Sequence, residues 1–261
     1  MSFISHFPLV LAMTILPSVQ GTAPVDFEAR ARKFVADVFS LNTSEAMAVL
    51  NAEMSQALTP DRLKPRSVHT LITKIGPGKL SAQLRCGYAH ALAAGYEDLV
   101  TIDGNDKDDP SAVPRFFDAL RGGYDFVQAS RFIPGGVGEN TPRLREFAIR
   151  AFHAPLLSWA SGFPWTDTTQ GFRAYSRRLL LDPRIAPFRS DFSSYELLAY
   201  MSYRAPRLGY KCVELPTVRR YPATGAIPTK VGGLAGNLQL LGTLVRVCVG
   251  GLNPRQVARD G

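Results

Sequence analysis

The sequence predicts an α/β fold, on three observations. Leu99-Val-Thr-Ile102 is a short, apolar, partly β-branched run, the mark of a strand buried on both faces. Pro110 to Arg121 follows with Val113, Phe116, Phe117 and Leu120 at helical spacing. Tyr124 to Ala129 is then a second apolar run, so strand, helix and strand succeed one another over short links, as in a right-handed parallel unit.

The remaining elements are read in order. Phe7 to Leu16 is an apolar stretch of ten residues followed by Pro17-Ser-Val-Gln-Gly21, which makes residues 1–24 signal-like, although no Lys or Arg precedes the stretch. It is too short to span a bilayer comfortably. Residues 25–70 form a helical appendage. Phe27, Ala31, Phe34, Val35 and Val38 share one helical face, and Asn42-Thr-Ser-Glu45 caps a second helix carrying Ala48, Val49, Leu50 and Met54. Thr59-Pro-Asp-Arg-Leu-Lys-Pro65 breaks the pattern. Residues 71–230 hold the regular α/β text, in which Ser81 to Ala94 reads as a helix with Leu84, Gly87, Tyr88 and Ala91 inward. Arg145 to Ser161 reads as one long helix, and Cys212 to Val218 contains a strand. Residues 231–261 are an apolar helix and tail; Val231 to Val249 holds only Arg246 as a charge, so it suits either a core or a membrane surface.

With 261 residues, 46% of them apolar, the chain can bury a full core in one domain or in one plus a small appendage. The net charge is +8, carried by 23 arginines against seven lysines. The planar guanidinium suits phosphate bidentately, so the bias favours phosphate-bearing ligands or an anionic surface. No basic run, finger spacing or repeat of stacking aromatics accompanies it, which argues against nucleic acid. Cys86, Cys212 and Cys248 are far apart and odd in number, giving neither metal spacing nor a disulfide framework.

The chemistry concentrates in four places. Asp103, Asp106, Asp108 and Asp109 crowd the loop after the first strand, where α/β sheets bind ligands, and such crowding needs a cation, water or helix N-terminus to offset it. Asp109-Pro110 also suits a helix start. A calcium loop counted from Asp103 would put Asp108 where glycine is needed and Pro114 where a bidentate Glu belongs, so that option is excluded. Gly76-Pro-Gly78-Lys79 precedes a helix, where amides and Lys79 can meet phosphate. Ser130-Arg131-Phe132 ends the second strand, followed by Gly135-Gly136, Arg143, Arg145 and Arg150. Thr166-Asp167-Thr-Thr-Gln-Gly-Phe-Arg173 is dense in small polar groups. His90 and His153 stand alone and read as structural.

In this order, and with Tyr124-Asp125, Tyr195-Glu196-Leu197, Glu214-Leu-Pro216 and Tyr221-Pro222, these pieces resemble the family 2 glycosyltransferases, in the branch of polyprenyl-phosphate (dolichol-phosphate) sugar transferases. The resemblance runs from about Gly76 to Tyr221. It implies a partial GT-A fold and inverting transfer from a nucleotide sugar to an acceptor such as a polyprenyl phosphate. It places the metal-binding Asp-x-Asp on Asp103 and Asn105, for Mg²⁺ or Mn²⁺, with Lys107 where relatives often have a further ligand. It puts Arg131 and Arg145 at the acceptor's phosphate, beside Lys79 and Arg173, which their own loops mark as substrate-binding candidates, and makes Asp167 or Glu196 the base if a hydroxyl is attacked. The nucleotide-binding start of the family, a V-P-x-Y-N-E-like strand and an Asp-Asp-Gly turn, is not legible in residues 1–70, which leaves a sheet edge expected to be bare. A contrasting reading is an inactive remnant, exported or membrane-associated, that holds anionic lipid. Nucleotide sugars place an active enzyme in the cytoplasm, at the inner face of the membrane; a functional signal in residues 1–21 would export it.

Overall fold

A computed structural model of the chain describes residues 9–13, 78–93, 95–104, 107–222 and 233–254. The expected helices of residues 25–70 lie outside the described residues.

The sheet is built from β1 (Leu9–Met13), β2 (Asp98–Asp103), β3 (Phe126–Ser130), β5 (Arg173–Ser176) and β6 (Cys212–Pro216), in the order β1-β2-β5-β3-β6. A two-stranded ribbon pairs β4 (Val137–Glu139) with β7 (Val218–Arg220) in parallel. The helices are α1 (Leu80–Ala93), α2 (Val113–Arg121), α3 (Arg143–Ala148), α4 (Ala154–Ser161), α5 (Arg177–Leu181), α6 (Glu196–Arg207) and α7 (Gly233–Cys248).

Alternation along the central strands divides the core. Val100 and Ile102 of β2, Val127 and Ala129 of β3 and Ala174 of β5 face one way and pack with Phe116, Phe117 and Leu120 of α2. Leu99, Phe126 and Tyr175 face the other way, among Tyr88 of α1, Leu157 of α4, Tyr200 of α6 and Val247 of α7. On that side the rings of Phe126 and Tyr175 stack with centroids 5.3 Å apart. Burying each such aromatic stabilises the fold by about 1.5–3 kcal/mol.

Three expectations are revised. β2 and β3 run parallel but are not neighbours, because β5 enters between them antiparallel to both. Arg173-Ala-Tyr-Ser176 can fill that slot because its Ala174 and Tyr175 serve opposite faces of the core. The long helix of residues 145–161 is three pieces, α3 and α4 joined by a π-helical turn, Ile149–His153. The outer edge of β2 is not bare, since Leu9–Met13, inside the signal-like stretch, pairs with it in parallel. Asp109 does start a helix as read: its Oδ1 accepts the Ser111 N–H at 2.9 Å and Pro110 opens a 3₁₀ turn leading into α2. α7 serves the core through Leu244 and Val247 while Leu241 and Val245, and Val249 just beyond the helix, face outward. No described helix is long and apolar enough to cross a membrane.

Candidate active site

The carboxyl ends of β2 and β3 open on the same edge of the sheet, two strand spacings or about 10 Å apart, with the chain leading into β5 between them. That chain brings Gly171 against Asp103. A Cβ at Gly171 would run into Asp103 Oδ1, so any larger residue there would turn the carboxylate aside. Thr101 fixes the approach by donating its hydroxyl to the Gly171 carbonyl at 2.7 Å.

On the β2 side the loop after Asp103 is stitched to β7. Arg220 N–H donates to the Lys107 carbonyl at 2.7 Å and Asp109 N–H to the Val218 carbonyl at 3.3 Å. This pairing puts Arg219 over both acidic groups. Its Nη1 donates to Asp108 Oδ1 at 2.6 Å and Oδ2 at 2.5 Å, and its Nη2 to Asp103 Oδ2 at 3.4 Å. The crowding of carboxylates is thus offset by a guanidinium. Burial pushes the Asp108 carboxyl above its ordinary range, and Arg219 opposes the rise.

On the β3 side Arg131 is buried and held by Asp167, from Nε to Oδ2 at 2.7 Å and from Nη2 to Oδ1 at 3.3 Å. Burial alone would raise the Asp167 carboxyl; Arg131 and the Gln170 amide outweigh it and hold it below the usual carboxylate range. Glu214 of β6 fixes the loop, accepting the Thr166 N–H at 3.0 Å and the Asp167 N–H at 2.9 Å.

The two sides meet at Tyr221. Arg131 and Arg145 donate to its hydroxyl at 3.4 and 3.5 Å. Lys107 Nζ lies 4.9 Å from its ring centre and Arg219 Cζ 5.8 Å. Burial would raise the phenol, but Arg219, Arg145 and Arg131 bring it down to about 8. A phenol so displaced reports a strongly positive field, suited to an anionic ligand.

The remaining candidates lie elsewhere. Arg173, expected at the substrate, is fully buried beneath it. Its guanidinium donates to the carbonyls of Gln170 (2.9 Å), Leu198 (2.6 Å) and Thr168 (2.9 Å), and so ties β5 to α6. Asp167, a candidate base, is occupied by Arg131. Glu196 accepts the Ser194 N–H at 2.7 Å at the start of α6. The amides expected to meet phosphate before α1 are also occupied: Lys79 N–H donates to the Ser193 carbonyl at 2.6 Å and Ser81 N–H to that of Ser194 at 2.7 Å. The Lys79 ammonium stands over the Tyr195 ring. Asn105 lies outside the described residues. Sequence reasoning missed Arg219, Asp108 as its partner, and Glu214 as the residue that positions Asp167.

A divalent ion would find Asp103 here. Among the described residues no group of three or more His, Cys, Asp or Glu could hold a metal. The donor set fits an ion that brings most of its oxygen ligands with it, from a diphosphate and water, and that draws Asp103 away from Arg219.

His153, in the π-helical turn, shares a hydrogen bond of 2.6 Å between its Nδ1 and Thr168 Oγ1. Burial, with Arg173 adding to it, lowers its pKa to about 4. Because the folded value lies below the unfolded one, the unfolded chain takes up the proton first as pH falls. Stability contributed by neutral His153 is therefore full above about pH 6.5 and lost towards pH 4, a change of about 3 kcal/mol. Urea unfolding of His153→Gln is expected to show a flatter decline across this window than the parent; equal slopes would refute a buried neutral imidazole.

No family model matches the chain. It is 35% identical over 161 residues to a dolichyl-phosphate hexose transferase of Haloferax volcanii, covering 62% of this chain and 65% of that protein. It is 32% identical over 158 residues to an undecaprenyl-phosphate mannosyltransferase of Micrococcus luteus, covering 58% of this chain and 60% of that one. The chain thus spans less than two thirds of the length of these curated relatives. Among solved structures, glucosyl-3-phosphoglycerate synthase from Mycobacterium tuberculosis, in complex with Mn²⁺, UDP and phosphoglyceric acid, superposes with a TM-score of 0.51 at 17% identity, covering 97% of this chain and 81% of that one. At that identity the likeness concerns the fold. Over the part matched, this chain is similar in sequence to these polyprenyl-phosphate sugar transferases, and its architecture is that of the GT-A glycosyltransferases.

Proposed function

We propose that this chain transfers a sugar from a nucleotide sugar to a polyprenyl phosphate, with inversion at the anomeric carbon. The observation that carries the reading is the meeting of an acidic strand end, Asp103 and Asp108, with a ring of cations around Tyr221 on one edge of the sheet. The names of the curated relatives supply the polyprenyl phosphate and the hexose.

The occupied carboxylates favour this acceptor. Asp167 is held ionised by Arg131 and Glu196 is engaged by the Ser194 N–H, so neither of the two candidate bases is placed to deprotonate a hydroxyl. A phosphate acceptor needs no such help. One of its anionic oxygens attacks the anomeric carbon, the bond from that carbon to the diphosphate breaks, and the nucleoside diphosphate leaves with the electron pair. Arg145, exposed at the rim, and Lys107 and Arg219 beneath it supply the field that draws and orients the phosphate. Mg²⁺ or Mn²⁺ held at Asp103 would neutralise charge on the leaving diphosphate.

The test is transfer of labelled sugar from UDP- and GDP-hexoses to undecaprenyl phosphate in detergent, with calorimetric titration of the same donors with and without Mn²⁺. Lipid-linked product is expected. Arg145→Ala should lower turnover about tenfold or more, the worth of a charge-assisted hydrogen bond. Donor binding should be weak, because Arg219 competes for Asp103, and lost in Asp103→Ala. Retention of polyprenyl phosphate with no donor binding would instead establish a catalytically silent relative that holds anionic lipid. The engagement of both strand-end carboxylates by Arg219 favours that second reading.

A further inference from the structure

Arg131 and Arg145 each keep a guanidinium arm that no carboxylate takes. Asp167 and Thr169 engage Nε and Nη2 of Arg131, which leaves its Nη1. Arg145 has no carboxylate partner among the described residues. The two remaining arms converge on one point, and the Tyr221 oxygen stands there, 3.4 Å from Arg131 Nη1 and 3.5 Å from Arg145 Nη1. Arg131 is buried and Arg145 exposed, so an anion entering past Arg145 meets the phenol before it reaches Arg131. The groups that face the ring are basic: Lys107 from the loop after β2, Arg131 from the end of β3, Arg145 from α3 and Arg219 from β7. The carboxylates behind them are engaged, Asp167 by Arg131, Asp103 and Asp108 by Arg219, and Glu139 by Arg220. The Tyr221 backbone is pinned to the ribbon. Its N–H donates to the Glu139 carbonyl at 2.9 Å and its carbonyl accepts from Asn140 Nδ2 at 3.1 Å. What is left to give way is the side chain.

We propose that Tyr221 is a resident surrogate for the anionic ligand: its hydroxyl holds the place of a phosphate oxygen between Arg131 and Arg145, and an anion binds there by displacing it. The inference rests on the reading of this ring as the seat of the acceptor's phosphate, and adds a residue that sets how tightly the seat is filled. Such a resident weakens every anion by one common factor, the fraction of molecules in which the place is empty. The same factor loosens the product, so the phenol aids release as well as limiting capture. The weakening grows with pH. Ionised Tyr221 is itself an anion and pairs with both guanidiniums, whereas the displaced phenol, beside a bound anion, holds its proton more firmly. Affinity is therefore greatest with the phenol protonated and falls as pH rises through about 8.

The probe is sulfate, a tetrahedral dianion of constant charge over this range, titrated calorimetrically into the full chain without lipid, nucleotide sugar or Mn²⁺. In the parent its affinity is expected to fall severalfold across about pH 8. Tyr221→Phe keeps the ring and removes only the hydroxyl. It should bind sulfate roughly three- to tenfold more tightly at neutral pH, the net worth of one hydrogen bond, and lose most of the alkaline fall. Ultraviolet difference spectra of parent against Tyr221→Phe isolate this phenol among the chain's nine tyrosines, and saturating sulfate should move its midpoint upward. Equal or weaker binding by Tyr221→Phe overturns the proposal, since the hydroxyl would then be a donor to the ligand or a bystander. A midpoint that sulfate leaves in place overturns it too. Arg145→Gln separates this inference from the reading beneath it. Binding lost in Arg145→Gln but unaltered in Tyr221→Phe removes the surrogate and leaves the anion seat standing. No binding by any of the three proteins, or binding that Arg145→Gln leaves unchanged, removes both.

Discussion

Replacing Arg219 with alanine is expected to destabilise the protein by about 3–5 kcal/mol at neutral pH, the magnitude for a buried ion pair that loses one partner. The change removes the group that holds Asp108, whose side chain is wholly buried, and leaves a carboxylate with no guanidinium against it. That loss is a large fraction of the 5–15 kcal/mol that keeps a typical domain folded. It should also depend on pH in a particular direction. Without Arg219, burial dominates and the folded-state pKa of Asp108 lies well above its unfolded value. The folded chain then binds the proton more tightly, so the variant regains stability as pH falls and loses it as pH rises through the raised pKa. Urea unfolding of Arg219→Ala, Asp108→Asn and the double variant measures this. The double variant, with no buried charge at position 108, should be more stable than Arg219→Ala alone. An Arg219→Ala protein within about 1 kcal/mol of the parent would show that the pair does not form.

Asp167→Ala is expected to cost a similar 3–5 kcal/mol by stranding Arg131, whose side chain is almost wholly buried. The functional consequence is distinct. Arg131 loses the two bonds that fix its plane, and with them its aim at the Tyr221 hydroxyl. The phenol, now brought down to about 8 partly by Arg131, should titrate higher in the variant, which ultraviolet difference spectra read directly. Asp167→Asn keeps the shape and loses the charge, so it should fall between the two. Its parent's carboxyl is depressed by the pairing, so the stability it contributes is present above the unfolded pKa and lost as pH drops through the folded one. A phenol titration unmoved by Asp167→Ala would mean that Arg131 does not need Asp167 to reach Tyr221.

Much of this arrangement was legible in the chain, for identifiable reasons. Asp103 and Arg131 stand at the ends of apolar runs long enough to be strands, and side chains at the carboxyl ends of such strands share an edge whatever lies between them. The intervening β5 was not legible, because four residues headed by an arginine carry no strand signal of their own. They become a strand only where two existing edges need a partner. Arg173 misled for a related reason: a charged residue in a polar loop reads as a ligand contact, whereas here three backbone carbonyls within the core receive it. Arg219 escaped notice because its partner, Asp108, is 111 residues away. Neither shows by local pattern that it will be buried. What could have found it is the crowding of Asp103 and Asp108, which demanded a cation that Val218-Arg219-Arg220-Tyr221 was the nearest basic strand to provide.

The antiparallel strand wedged into the middle of the sheet also shapes how the molecule comes together. β2 and β3 have no edge in common until residues some seventy positions downstream of β2 have been made and have turned back between them. During synthesis β2 and β3 are therefore separate strands until β5 joins them. Ordering by such distant contacts is slow, and it makes the return of Arg173–Ser176 the event that brings the ends of β2 and β3 together on one edge.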